Sequence, residues 1–221
     1  MKLIASFPIA ASLVIVGLFT TTGFGQNLDL APQIGLFATG TDANGNLLSG
    51  GSVDPHYTIA AESAQPPYAQ AAVLSYNNYW GSWATSTTGG WIYTSDSADD
   101  GSRGWYLFRT FIDLTGLDSS SVRISGQWTC DNFGSILLNG ADTGNSLGND
   151  TYYNLYDFSI NSGFKSGINE IDFRVFFPDG YDGLLVSQVS ATVVPEPGSI
   201  LLFGVVIFGF VLVRHRQLSS N

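Results

Sequence analysis

The chain is predicted to be all-β, an antiparallel β-sandwich, and three observations carry that expectation. Between Gln26 and Val194, apolar and polar residues alternate with a period of two. Clusters of Gly, Asn, Asp and Ser interrupt the alternation at short intervals, and no long helical periodicity is present. The alternation is clearest where Val122, Ile124, Gly126 and Trp128 interleave with Arg123, Ser125, Gln127 and Thr129. It recurs where Ile171, Phe173, Val175 and Phe177 interleave with Glu170, Asp172, Arg174 and Phe176. Such a segment turns one face to a core and the other to water. The run Leu185, Val189, Ala191 and Val193 is read in the same way. Further strands are expected at His56–Ala61, Ala69–Ser75, Trp105–Leu114, Gly134–Leu138 and Leu155–Ile160. Turns are expected at Asp42–Gly45, Asn139–Gly140, Ser166–Gly167 and Asp179–Gly180. About nine short strands in one domain, residues 26–193, suit a single sandwich.

Composition narrows the function classes. The 221 residues carry a formal charge of -10, and all 18 acids lie between Asp29 and Glu196, alongside only five of the eight Lys and Arg. An acidic body of this kind opposes binding to nucleic-acid phosphates or anionic lipid. The single cysteine, Cys130, excludes an intramolecular disulfide framework and a cysteine-cluster zinc site, so stability must come from packing.

Both ends read as addresses. Residues 1–25 combine Lys2, a short apolar run interrupted by Pro8 and the small-residue stretch Gly23–Phe24–Gly25, which fits a secretory signal peptide cut near Gly25–Gln26. Signal peptidase is the partner this implies. At the other end, Ile200–Val213 is uncharged and apolar apart from glycines. As a helix it spans about 21 Å, short for a bilayer core of about 30 Å. Arg214 and Arg216 follow as a basic stop that keeps this end cytoplasmic, and Pro195 and Pro197 hold the preceding segment extended.

Residues 194–221 carry a resemblance. Val194, Pro195, Glu196, Pro197 and Gly198, followed by the short glycine-containing helix and the basic cluster, resemble the PEP-CTERM sorting signal of Gram-negative bacteria. The resemblance implies recognition by an exosortase, inner-membrane anchoring through the C-terminal helix before processing, and release to the cell surface or extracellular matrix afterwards. Two Arg around a His make a sparser basic cluster than the family's usual Arg run. The alternative is an ordinary C-terminal anchor.

A second resemblance lies in the body. Trp128, Asp131–Asn132, Leu138–Asn139–Gly140, the pair Phe158 and Ile160, the series Gly167, Asn169 and Ile171, and Gly183–Leu184 follow in an order similar to the galactose-binding-like jelly roll. The match spans residues 104–193, with residues 51–59 as an early strand. That fold is found in carbohydrate-binding modules and in accessory domains of glycosidases, which implies a fold and not a function.

Trp80, Trp83 and Trp91 lie in a polar, Asn-, Ser- and Thr-rich stretch with Trp105 at its end. Flat aromatic faces beside short polar side chains suit sugar recognition, so these four are the ligand-binding candidates, with packing at the sandwich ends as the alternative. Trp128 is expected in the core. Asp96, Asp99 and Asp100 are weak calcium candidates, since they offer hard oxygen ligands without an EF-hand pattern. Asp54 and His56 stand two apart on an extended strand, where an acid–imidazole contact is geometrically open, yet no nucleophile accompanies them. Cys130 reads as a small buried hydrophobe. No catalytic residue is assigned and no cofactor is required, calcium being an optional one.

The expected role is therefore non-catalytic: an exosortase-sorted surface or matrix protein whose sandwich binds exopolysaccharide. The alternatives are a passive structural matrix protein and, third, a polysaccharide-active hydrolase.

Overall fold

The computed structural model describes residues 29–61, 72–76, 82–93, 104–178 and 183–193. The signal peptide, Trp80, Asp96, Asp99, Asp100, the Asp179–Gly180 turn and the sorting segment from Val194 through Arg214 and Arg216 lie outside the described residues.

Among the described residues ten strands form: β1 (Ser52–Ala61), β2 (Ala72–Tyr76), β3 (Trp91–Tyr93), β4 (Gly104–Asp113), β5 (Val122–Asp131), β6 (Phe133–Leu138), β7 (Ala141–Leu147), β8 (Tyr156–Ile160), β9 (Ile168–Phe177) and β10 (Gly183–Val193). They pair antiparallel in the order β7-β6-β9-β4-β1-β2-β3-β10-β5-β8. This single ladder is folded into two layers. Trp128 of β5 and Phe158 of β8 meet Phe173 of β9 at centroid separations of 5.7 and 5.9 Å, although several strands separate them along the ladder. One layer, here the front, contains β7-β6-β9-β4-β1, and the back layer contains β3-β10-β5-β8. From β4 onward the chain passes between layers at five of its six connections, as a jelly roll does.

The alternation read from the sequence sets the core. Val122, Ile124 and Trp128 of β5 are buried against Ile171, Phe173, Val175 and Phe177 of β9, together with Phe108, Ile136 and Phe158. Each such side chain contributes about 1.5–3 kcal/mol on burial. Glycine is required where layers or rings approach closely: a Cβ on Gly134 would stand 2.6 Å from the Cys130 sulfur and 3.0 Å from the Trp128 ring. The Asn139–Gly140 hairpin forms as expected, with φ of 52° and 80°, both positive as a type I′ turn needs.

Three expectations are corrected. The β10 run changes phase: its register shifts between Ser187 and Ser190, so Leu184, Val186 and Ala191 enter the main core while Leu185 faces the outer side. β3 adds a strand that alternation does not reveal, because Trp91–Tyr93 is buried on both faces and too short to show a period. β7 adds another, because Ala141–Leu147, on the edge of the ladder, is polar and exposed, as an edge strand that resists further pairing should be.

The strand β1 carries a bulge that also settles the Asp54–His56 question. Its register breaks between Val53 and Thr58, and Asp54, nearly fully buried, accepts the backbone N–H groups of Gly40 (2.6 Å), His56 (2.8 Å) and Tyr57 (3.1 Å). Burial raises its pKa, opposed by these amides. The carboxylate thus organises backbone, and the His56 ring stacks on Phe37 at 3.8 Å instead of on the acid.

Candidate functional site

Residues 82–93, the described part of the polar stretch, bring Trp83 and Trp91 together on the outer face of the back layer. Trp83 and Trp91 are 7% and 2% exposed and pack with Ala84, Tyr93 and Leu185 in a second apolar cluster. Trp91 Nε1 donates to the Ala84 carbonyl at 2.8 Å, and a Cβ on Gly183 would lie 2.8 Å from the Trp91 ring. Both residues are therefore corrected from open platform to packing: the outer side of β3 and β10 is apolar and has to be covered, and these rings cover it.

What the cluster leaves at the surface is a tyrosine pair outside the candidates that the sequence suggests. Tyr152 packs on Trp83 with ring centroids 5.7 Å apart, and Tyr153 lies beside it at 4.2 Å. The Tyr152 hydroxyl donates to that of Tyr153 at 2.9 Å, and Tyr153 is 49% exposed, with Tyr156 at 36% a turn further on. Their loop is pinned on several sides. Ala84 N–H donates to the Tyr152 carbonyl (2.7 Å), Thr129 Oγ1 to the Thr151 carbonyl (2.8 Å) and Asn154 N–H to the same carbonyl (3.1 Å). Because Tyr152 donates its phenolic proton to Tyr153, and because of partial desolvation, its ionisation is pushed upward from the usual tyrosine range. Asn149, Asp150 and Asn154 flank the pair in the chain, and all three are exposed. The signal available in the sequence is the pair Tyr152–Tyr153 between Asn and Asp residues, but nothing local distinguishes it from other polar loops.

Trp105 behaves differently. It stands half-buried on the outer face of β4, 5.0 Å from Phe176, which in turn lies 6.2 Å from Phe133. The register places Phe133, Phe176 and Trp105 in one row across β6, β9 and β4. The Arg174 guanidinium sits 3.8 Å above the Trp105 ring. Further along the same face, Arg109 holds Asp172 in a two-pronged contact (2.7 and 3.0 Å) and reaches Glu170 at 3.0 Å. The hydrogen bond to Asp172 raises the Arg109 pKa, and burial raises that of Glu170.

The tyrosine pair and the Trp105 row share one end of the sandwich. The turn from β5 into β6 at Asp131–Phe133 lies between them, since Thr151 bonds to the Cys130 carbonyl on one side and Asn132 N–H donates to the Phe176 carbonyl on the other. Two clefts lie elsewhere. One of about 470 Å³ runs beside Phe37, Leu36 and Gln188 and is largely apolar. Another of about 420 Å³ is lined by Asn139, Asp142, Thr143 and Asn161 at the opposite end and has no aromatic ring. Among the described residues, no group of three His, Cys, Asp or Glu is placed to hold a metal ion. Cys130 is fully buried, and desolvation pushes its thiol far up, the reverse of what a nucleophile needs. Chemically, the aromatic end offers flat apolar faces with short polar neighbours, a surface for stacking and hydrogen bonding.

No curated protein matches the chain. Similar solved structures include a Stig cyclase from Fischerella sp. TAU, at 10% identity and TM-score 0.38, covering 65% of this chain and 88% of that one. They also include TmCBM61 in complex with β-1,4-galactotriose, at 8% identity and TM-score 0.35, covering 65% and 92%. A family 35 carbohydrate-binding module from an environmental isolate is similar at 13% identity and TM-score 0.34, covering 66% and 97%. Overlaps this loose carry no argument, and the jelly-roll-like sandwich rests on the strand order itself. The C-terminal segment is matched at the level of sequence, one residue earlier than its Pro–Glu–Pro run suggests: residues 193–217 match the PEP-CTERM protein-sorting motif, which marks an exported protein held in the membrane before processing.

Proposed function

We propose that this is an exosortase substrate whose jelly-roll-like sandwich binds a surface or matrix glycan without catalysis, using the Tyr152–Tyr153 pair as its stacking platform. In this reading residues 1–25 are removed by signal peptidase and the segment from Val194 onward directs the body to the cell surface or matrix. One observation carries the binding step: the exposed Tyr153 ring lies beside Tyr152, which is half-buried against Trp83, and backbone bonds fasten their loop on either side. A pre-ordered platform loses little freedom when a pyranose stacks on it, so more of the contact energy appears as affinity. The exopolysaccharide of the producing bacterium is the expected ligand, and calcium is not required for this contact.

The test is retention of the mature body on that exopolysaccharide, read by affinity electrophoresis. Tyr153→Ala, which removes an exposed ring, is expected to abolish retardation while leaving thermal melting unchanged. Undiminished retardation would reject the platform. The passive structural reading is favoured by a different observation, the burial of Trp83 and Trp91, which removes two of the four tryptophans proposed for binding. It predicts no retardation for the wild-type body on any matrix polysaccharide. Release of reducing ends from such a polysaccharide would instead establish a hydrolase.

A further inference from the structure

The strand that leads into the sorting motif also fixes which way the body points. Val193 is both the last residue of β10, in register with Val122 of β5, and the first residue of the matched motif, so only residues 194–199 lie between the sheet and the apolar run that begins at Ile200. β10 is an interior strand, flanked by β3 and β5. The beginning of the described chain is fastened at the same place: Leu30 N–H donates to the Ala191 carbonyl at 2.7 Å, and Asp29 Oδ1 accepts from Ala191 N–H at 2.9 Å. Both ends of the body therefore leave from one pole of the sandwich. Gly183, at the other end of β10, pairs with Asp131 at the turn that lies between the tyrosine pair and the Trp105 row. Ten residue steps of strand separate the two poles, roughly 33 Å.

We infer that the sandwich is displayed end-on, with the Asp29–Val193 pole against the membrane while the sorting segment is embedded, and the aromatic pole directed outward. This rests on the membrane-anchored stage of the proposed sorting and is independent of glycan binding. The orientation comes from the shortness of this connection. A domain on a long flexible linker samples all tilts, whereas here six residues join a nine-pair strand register to the apolar run, and Pro195 and Pro197 restrict the backbone of that short connection. Near the anchor, Ser162 and Asn161 are exposed beside the cleft there, and Ile168 is exposed at the start of β9.

The full-length chain reconstituted in vesicles containing headgroup-nitroxide lipid tests this directly. Ser162→Cys places a fluorescent label at the anchor pole and Asn154→Cys places one at the aromatic pole, while Cys130 is buried and stays unlabelled in the folded protein. The label at 162 is expected to be quenched several-fold more than that at 154. Inserting about ten Gly-Ser residues between Val193 and Val194, a reach of roughly 18 Å, should erase most of the difference. Equal quenching of the two labels in vesicle-bound chains overturns the orientation alone. A difference that survives the insertion overturns the explanation by a short connection. Chains that fail to float with the vesicles overturn the anchored stage itself, and with it the inference. None of these outcomes bears on polysaccharide retardation, so failure here and failure of the glycan reading are told apart.

Discussion

The outer faces of the two layers use aromatic residues in opposite ways. On the back layer, among the described residues, Trp83, Trp91 and Tyr93 are buried in one cluster, Tyr152 packs half-buried on it and Tyr153 reaches the surface. On the front layer, Trp105 and Phe176 remain half-buried on a face that also carries the Arg109–Asp172–Glu170 network. The difference stems from the surface beneath. Leu185 and the β3 residues present apolar surface outward and require a cover, whereas the outward residues of β4 and β9 include charges that satisfy one another. A tryptophan in a polar segment is thus a lid on one face and part of an open row on the other. Composition around the residue does not separate the two cases, because the deciding surface belongs to a distant strand.

The largest effect expected from breaking this contrast is at Trp91. Trp91→Ala should cost about 3–5 kcal/mol in chemical denaturation, since it opens a cavity and strands the Ala84 carbonyl. A cost under about 1 kcal/mol would mean that the ring is not a structural lid. Next is the front face: Arg109→Ala leaves the carboxylate of Asp172, 2% exposed, without its counter-charge and should cost roughly 3 kcal/mol. Combining it with Asp172→Asn should recover part of that loss, and strict additivity of the two would show that they act separately. Tyr153→Ala should change stability by no more than about 0.5 kcal/mol, as expected for an exposed side chain. A larger loss would assign Tyr153 to packing along with Trp83.

The smallest effect sharpens the tyrosine pair itself. In the folded state the Tyr152 pKa is raised, chiefly by the hydrogen bond it donates to Tyr153. Its contribution to stability is therefore complete below the ordinary tyrosine value near 10 and is lost as pH rises through the higher folded value. Tyr153→Phe removes the acceptor and should bring Tyr152 ionisation, followed by ultraviolet difference absorbance, back toward the ordinary range. An unchanged titration would mean that the hydrogen bond does not form in solution.

Much of the fold is legible because alternation is a local property. In β5 and β9 each apolar residue read as inward is in the core, and the Asn139–Gly140 turn takes the backbone its residues favour. Legibility ends where local pattern and tertiary demand diverge. The bulge in β1 breaks the two-residue phase that makes Asp54 and His56 look like neighbours, and the carboxylate is spent on backbone N–H groups. The bulge in β10 moves Leu185 to the opposite face from Val189 and Ala191. The candidate site is nearly invisible for the same reason: the rings proposed for binding are those the sheet needs to bury, and Tyr153 is accessible only because Trp83 lies under its neighbour.

The sequence by itself determined the sorting motif and the class of fold, since a short linear signal and a two-residue period are each complete within a few consecutive residues. Only the tertiary structure decided which aromatic rings face water and that both ends of the body meet at one pole. Exposure and direction depend on residues brought together across the sandwich, as Ala191 is to Asp29 and Tyr152 to Trp83, and no local stretch of chain encodes them.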